Sequence, residues 1–482
     1  MSASPGSGPE ATDYRKQAEE SLSRGDYEAA SRWFRLEASV YDAKGDSNAG
    51  HVEEMKAERW STEIRVFRNA PGDRSSLIAH WTQAKFEPIA GCYLGVYAAS
   101  DLDLPHLRDG QGRTLPPEAC FSQVVDKHIA TAFDYCRYGD LFPINWAKDL
   151  CGRGIAPHIA LEPNDGLQWV QDNEYLRQFA RDAAACGGPV FLRFASEMNG
   201  NWTAYHDDPA SYKAKFRLVH DVMERLAPNV AMVWCVYEIP DYNIDSYYPG
   251  DAYVDWVGIN IYSVLHHNND PSIEAWWENP GSMLKHVYEK YGSRKPIAIC
   301  EYAASHREVI SHQLDCADFA RGRLADMFAA LPRRFPRVKL IDIFDCNNIL
   351  YGRSGRKVND YSVTNDPSIL WEFRHLIQPD YFLSTVVRSP QSLLPTSCSE
   401  VTPGSTLSGT QVLSAWLKTY DIRPRVAYSI DNHPVASFDS PGDYSFRLDT
   451  SRYTRGPHRL VVDVSDTAGG HAGRQEIPVV FQ

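Results

Sequence analysis

GGPVFLRFASEMNG, residues 187–200, is the stretch on which the reading of this chain turns. Two glycines and a proline lead into Val190–Ala195, an apolar run broken only by Arg193, and the run ends at Ser196 and Glu197. An apolar strand without alternation implies cover on both faces, as in a parallel sheet wrapped by helices. A carboxylate at the end of such a strand is costly unless it is paired or put to use. A second run closes the same way: KPIAIC, residues 295–300, stops at Glu301.

Outward from these two runs, strands alternate with helices from residue 88 to residue 380. The candidate strands are Ile89–Tyr97, His128–Cys136, Ala156–Leu161, Pro189–Ala195, Val230–Val236, Val254–Tyr262, Pro296–Cys300 and Lys339–Phe344. The clearest helix covers 209–227, where Tyr212, Phe216, Val219, Met223 and Leu226 fall at steps of three and four and make one buried face. Eight such units suit a closed (β/α)8 TIM barrel, typically about 250 residues long. A doubly wound nucleotide-binding sheet would need a glycine-rich phosphate loop. Gly110-Gln111-Gly112 comes nearest, but Leu115 stands where the third glycine belongs.

Counted along the barrel, Glu197 ends the fourth strand and Glu301 the seventh, 104 residues or three βα units later. Reacting groups in this fold stand at the C-terminal ends of strands, so the two carboxylates are expected to face each other across the mouth. Cleavage of a glycosidic bond with retention needs such a pair about 5–5.5 Å apart, one protonating the leaving oxygen and one attacking the anomeric carbon. Taken singly, either Glu reads equally well as a salt-bridged surface residue. Both at strand ends with this spacing favour the pair.

The flanks read differently. Residues 1–70 form a small N-terminal helical segment, with helices around Tyr14–Ser23 and Tyr27–Ala43 and part of a third, resembling a tetratricopeptide-type hairpin. Residues 381–405, with Pro390, Pro395 and Pro403, read as a linker. Residues 406–482 alternate strictly at Val426/Tyr428/Ile430, Tyr444/Phe446/Leu448, Leu460/Val462/Val464 and Ile477/Val479/Phe481, predicting an all-β, Ig-like sandwich that serves as a spacer or a weak carbohydrate-binding module.

Composition narrows the partners. The 482 residues carry 62 acidic against 49 basic side chains, a net charge of −13, without a basic run. Neither nucleic acid nor an anionic membrane surface is an expected partner, and no stretch has the ~20 apolar residues of a membrane span. Met1–Glu10 lacks the apolar region of a secretory signal. The expectation is therefore either retention in the cytoplasm or an export signal missing from this chain, while the Ig-like module and the substrate class favour secretion. The ten cysteines show no CxxC pair, and those in strand-like runs (Cys136, Cys235, Cys300, Cys346) read as buried thiols. No metal and no cofactor is expected, and the chain is expected to act as a monomer.

FLRFASEMNGNW (191–202), NVAMVWCVYE (229–238), YYPGDAYVDWVGINIY (247–262) and KPIAICEYA (295–303) together resemble glycoside hydrolase family 26 of clan A. That family includes β-mannanases, with members acting on β-1,3-xylan or mixed-linkage β-glucan, and the resemblance covers residues 88–378. It implies a retaining, endo-acting hydrolase of a β-linked polysaccharide, mannan or glucomannan being the first expectation, with Glu197 as acid/base and Glu301 as nucleophile. It further implies Trp202 as an aromatic wall beside the cleaved bond, Tyr262 as a donor to Glu301, Arg193 beneath the pocket, and Glu162 lining the sugar site. Ser196 and Asn199 of the same motif join the expected sugar contacts. Two positions depart from the family: Ser196 stands where a histidine usually precedes the acid/base, and IDIFDCNN after strand eight lacks a tryptophan, leaving Phe344 to stack in its place.

Blander roles remain for several of these residues. Arg193 could be a core ion-pair partner, Trp202 a cap on the barrel, Tyr262 simple packing and Glu162 a structural pair. Trp234, Trp256, Trp276 and Trp277 read as core or lid, with Trp276-Trp277 the one candidate for a distal subsite. The sequon Asn201-Trp202-Thr203 reads as accidental. Glu301, near Arg193 and Tyr262, is expected to stay ionised, and Glu197 to hold its proton. Two alternatives stay open: an enzyme that trims the host's own exopolysaccharide, and a catalytically silent carbohydrate-binding barrel.

Overall fold

The computed structural model describes residues 11–70, 80–310, 316–389, 391 and 394–482. The Ser/Gly/Pro-rich start and Pro390 of the expected linker lie outside them. The chain divides into two compact units, one of residues 70–275 and 280–398, the other of 1–69, 276–279 and 399–482.

The first unit is the barrel. Its parallel strands are β1 (Cys92–Tyr97), β2 (Thr131–Arg137), β3 (Ala156–Glu162), β4 (Val190–Phe194), β5 (Val230–Tyr237), β6 (Trp256–Ser263), β7 (Ile297–Ala304) and β8 (Val338–Phe344). Each pairs with the next, and β8 pairs back onto β1 with Leu340 opposite Tyr93, so the ring closes. All eight expected strands are present. The helix Pro209–Leu226 shows why the outer layer forms. Asp208 caps it by accepting from the Ser211 amide, Pro209 takes a first-turn position that has no use for an N–H, and Tyr212, Phe216, Val219 and Met223 are buried. Each such side chain contributes roughly 1.5–3 kcal/mol by leaving water.

Inside the ring the side chains stack in layers. Tyr93, Phe191, Trp256, Ala298 and Leu340 pack low in the barrel. Tyr97, Phe133, Ala160, Ala303 and Phe344 pack higher. Strand β7 breaks the simple alternation. Ala298 and Cys300 both face the interior, so Glu301 should face the helices. A register shift against both neighbours, between Ile259 and Asn260 on β6 and between Ile341 and Ile343 on β8, marks a bulge there. The bulge re-aims the strand, so that Glu301 and Ala303 also point inward. The sequence reading stopped this strand at Cys300; it runs on to Ala304, because the extra residue of the bulge resets the pattern instead of ending it.

The second unit holds helices Ala11–Ser23, Tyr27–Ala43 and Ser47–Trp60, the last two capped by Asp26 and Asp46. The third helix is a full 14 residues rather than a fragment. Residues 63–70, read from sequence as part of a purely helical segment, form a strand that pairs antiparallel with Thr410–Lys418, Glu63 opposite Lys418. Val66 thereby joins the core of Leu413, Tyr428, Leu460 and Ile477. The four-stranded sheet is completed by Ser397–Glu400 and Phe446–Asp449, and a five-stranded sheet accompanies it. The expected linker is thus partly structured, since Ser397–Glu400 lies in this sheet and Phe382–Leu383 pairs with β1. Trp276 and Trp277, read from sequence as core or lid or as a distal subsite, belong to this unit, with the Arg59 guanidinium 5.3 and 5.9 Å from their rings. Among the described residues no aromatic ring of 399–482 stands exposed, and no helix is long and apolar enough to cross a membrane.

At the end of β8, Asp345 is fully buried beside Asp101, which is itself buried, and the carboxyls share a hydrogen bond. Burial and the charge of Asp101 push Asp345 well above the ordinary carboxyl range, so the folded chain binds a proton that the unfolded chain releases. The stabilisation is full below the unfolded value near 4 and is lost as pH rises through the raised folded value. Asp345→Asn keeps the acceptor for the Val363 amide (2.7 Å) and supplies a permanent donor to Asp101. Its melting temperature should exceed that of the wild type by a margin that grows between pH 5 and pH 9; a constant or shrinking margin in thermal unfolding would contradict this.

Candidate active site

Strand β4 ends at Phe194, and the chain then turns sharply. Ala195 and Glu197 both take left-handed backbone angles, φ 51° and 58°. Such angles are unfavourable for residues with a Cβ and persist only where the surroundings impose them. Three sets of bonds do so. The amides of Ala195 and Glu197 donate to Leu161 O (3.1 Å) and Cys235 O (3.0 Å) on the flanking strands. Glu162, at the end of β3, accepts from the Ser196 amide (3.1 Å), the Ser196 hydroxyl (2.7 Å) and the Tyr205 hydroxyl (2.6 Å). Asn199 accepts from the Tyr237 amide (2.9 Å) and donates to Tyr237 O (2.8 Å) and Pro240 O (3.0 Å).

These bonds relocate three expected sugar contacts. Asn199 is buried with both its donors engaged, so it offers none to a sugar. Ser196, also buried, spends its hydroxyl proton on Glu162. Glu162 in turn faces the turn it holds, and burial raises its carboxyl above the ordinary range against the pull of Arg193 and these donors. All three shape the loop that presents Glu197.

Within the barrel mouth Glu301 is 4% exposed. Its Oε1 accepts from Arg193 Nη2 at 2.5 Å and its Oε2 from the Tyr262 hydroxyl. Arg193 is 1% exposed, and its guanidinium lies 4.4 Å from the centre of the Phe133 ring. Burial opposes its charge, and Glu301 beside it, together with Cys235, Cys300 and Tyr135, outweighs that and holds the guanidinium well above its usual range. The second arm of the same fork, Nη1, donates to Asn260 Oδ1 at 3.1 Å. Asn260 lies opposite Glu301 in the β6–β7 register and passes its own Nδ2–H to Glu197 Oε1 at 2.7 Å. The other Glu197 oxygen accepts from Trp202 Nε1 at 2.7 Å. The ring of Trp202, 45% exposed, stands edge-on to Tyr237 and folds over Gly200, where a Cβ would strike it. One path of hydrogen bonds therefore runs Glu197–Asn260–Arg193–Glu301.

The two carboxyls sit in unequal surroundings. Glu197 is raised by burial and by the negative charge of Glu301, opposed by Asn260, Trp202 and Arg193. Glu301 has the buried cation in direct contact. Burial and Glu301 hold the hydroxyls of Tyr262 and Tyr135 protonated well above their ordinary range, so both remain donors.

Sequence reasoning overlooked Asn260, Tyr135 and Tyr205. Asn260 was legible in VGINIY, where it shares a face with Trp256 and Tyr262 by simple alternation. Tyr135 follows Phe133 in the same way, and its ring is 40% exposed at the mouth. Tyr205 lies in a loop, where no periodicity marks it. Phe344 is 8% exposed, with one face covered by Tyr97 (4.8 Å, 16° between planes). Among the described residues no group of His, Cys, Asp and Glu is arranged to hold a metal.

Two measurements probe this network without any substrate. Arg193→Met leaves Glu301 buried without its cation and should lower unfolding stability by about 3–5 kcal/mol in urea titration; a loss below 1 kcal/mol would show that the pair is dispensable. Trp202→Phe removes a donor that favours ionised Glu197, so the Glu197 titration followed by carboxyl NMR should move to higher pH. An unchanged or lower midpoint would contradict the assigned hydrogen bond.

The sequence model of glycosyl hydrolase family 26 matches residues 170–288. A beta-1,3-xylanase of a Vibrio species is 28% identical over 157 residues, 30% of this chain and 33% of that protein. Endoglucanase H of Acetivibrio thermocellus is 31% identical over 193 residues, 34% of this chain and 21% of its own. A beta-1,3-xylanase of an Alcaligenes species is 32% identical over 128 residues, 24% and 26% of the two chains. The chain thus spans a third or less of the length of each of these relatives. The family match takes in Arg193, Glu197, Trp202, Asn260 and Tyr262 and stops before Glu301. Over residues 170–288, which hold three of the eight barrel strands, this chain is similar to glycosyl hydrolase family 26.

Proposed function

We propose that this chain is a retaining, endo-acting glycoside hydrolase that cleaves a β-linked polysaccharide by double displacement, working as a monomer. The observation that carries the reading is the path Glu197–Asn260–Arg193–Glu301, which joins two carboxyls of unlike surroundings inside one barrel mouth. In the first step Glu301 attacks the anomeric carbon while Glu197 gives its proton to the departing glycosidic oxygen. Tyr262 and Arg193 hold Glu301 in line. Once Glu301 is esterified its negative charge is gone, one cause of the raised Glu197 pKa disappears, and Glu197 takes a proton from the incoming water.

The exposed rings of Trp202 and Tyr135 at the mouth suit the flat faces of pyranose units in a chain that enters from the side. A β-mannan or glucomannan is the first substrate expected from the family. A second reading, β-1,3-xylan or a β-glucan, is favoured by the names of the three relatives and by Ser196, whose hydroxyl is tied to Glu162. A silent binding barrel would have no need to keep both carboxyls joined through a buried cation. The buried aromatic surface of the sandwich supports a spacer over a carbohydrate-binding module.

The test is release of reducing ends from mannan, glucomannan, β-1,3-xylan and mixed-linkage glucan. Wild type should act on at least one, with retained anomeric configuration in the first product seen by proton NMR. Glu301→Ala should abolish release, and Glu197→Gln should slow it by about 10²–10⁴-fold. Identical traces for wild type and Glu301→Ala on all four substrates would overturn the proposal.

A further inference from the structure

The ten cysteines are scattered through the sequence, yet the fold brings two of them together away from the barrel mouth. Cys151 lies in the last turn of helix Ile144–Gly152, and Cys186 lies between helix Glu174–Ala184 and β4. Their sulfurs are 3.8 Å apart. Cys186 is buried and Cys151 half-buried.

The surroundings suit thiol chemistry. Asn229 Nδ2 points at Cys186 Sγ from 3.7 Å. Gly188 leaves room for Cys151: a Cβ at that position would lie 2.6 Å from its sulfur, so a larger residue would drive the pair apart. The Arg388 guanidinium, bonded to Gly187 O at 3.4 Å, favours negative charge on Cys151. The hydrogen bond from Cys151, helped by Asn229, holds the Cys186 thiol down at about 7, and the same contact raises Cys151. A thiolate is therefore present at the pair near neutral pH.

We propose that Cys151 and Cys186 are an oxidisable pair that closes to a disulfide on exposure to a small-molecule disulfide such as oxidised glutathione. As Cys151 attacks the external disulfide, its proton passes to the Cys186 thiolate across their shared contact. That S–S bond breaks, one glutathione thiolate leaves, and a mixed disulfide forms on Cys151. The Cys186 thiol gives that proton to the departed glutathione thiolate, and its sulfur then attacks the Cys151 sulfur and expels the second glutathione thiolate. Two protein sulfurs are oxidised and one glutathione disulfide is reduced; one glutathione thiolate takes the proton that Cys151 carried, and the other takes one from water. The sulfurs must close from 3.8 Å to about 2.05 Å, a movement that rotation of the Cys151 side chain at its helix end supplies.

Closure joins positions 35 residues apart and encloses β3 and the helix Glu174–Ala184. It ties down the segment that enters β4, the strand carrying Arg193. A cross-link of that span restricts the unfolded chain and should raise Tm by about 5 °C.

The experiment treats the full chain at pH 8 with oxidised glutathione, alkylates the remaining thiols, and maps the peptides by mass spectrometry alongside thermal unfolding. The expected result is one cross-linked pair, Cys151 with Cys186, lacking two hydrogens, with the other eight thiols alkylated and Tm raised by about 5 °C. Dithiothreitol should reverse both changes, and Cys151→Ser and Cys186→Ala should each abolish them. Full alkylation of both residues after oxidation, a cross-link to a different cysteine, or closure that leaves Tm unchanged or lower would overturn the proposal. None of these readouts depends on hydrolysis, so the outcome stands apart from that of the substrate panel.

Discussion

A fully buried guanidinium is the constraint around which the barrel mouth is organised. Arg193 cannot shed its charge, and inside an apolar strand that charge needs a partner. Its planar fork fixes two groups at once, Glu301 on one arm and Asn260 on the other, and through Asn260 it reaches Glu197. A buried ion pair adds little to stability compared with well-packed apolar groups, although breaking it is costly. Its presence is better explained by what it does to the two carboxyls. One is left beside a cation. The other is left beside a negative charge, with burial holding its proton.

Two departures from regular geometry make this arrangement possible, and both lie in strands that carry a carboxyl. The bulge in β7 turns Glu301 from the helix side to the interior. The left-handed turn after β4 swings Glu197 back over the barrel, and Glu162, Ser196, Tyr205 and Asn199 are occupied in holding it. Polar residues that a motif places near a sugar are here consumed by backbone support. The cost of two strained residues is met by a dense local set of hydrogen bonds, a distribution common where a loop must present one side chain accurately.

Much of the fold was legible because its signals are local. Eight apolar runs marked eight strands, and the steps of Tyr212, Phe216, Val219 and Met223 marked a buried helix face. The candidate pair of carboxyls was legible from strand ends and spacing. What stayed hidden depends on partners distant in sequence. Residues 63–70 look unremarkable until Thr410–Lys418 pairs with them, and Trp276-Trp277 looks like a loop platform until Arg59 meets the rings. The bulge was hidden for a different reason: an inserted residue leaves composition unchanged and alters only which face each later residue serves. Asn260 and Tyr135 were within reach of simple alternation, since each continues the inward face of its strand.

The pairing of Glu63–Arg68 with Leu413–Lys418 also sets a schedule for the growing polypeptide. The first of these segments leaves the ribosome some 350 residues before the second, an interval on the order of 20–70 s at typical synthesis rates. Throughout that time an edge of alternating side chains has no sheet to join, whereas seven of the eight barrel pairings join consecutive strands and only that of β8 with β1 closes the ring later. The early helices and their strand are thus kept waiting for a segment made some 350 residues later. A cell making this protein must keep that edge from annealing to other nascent chains in the meantime.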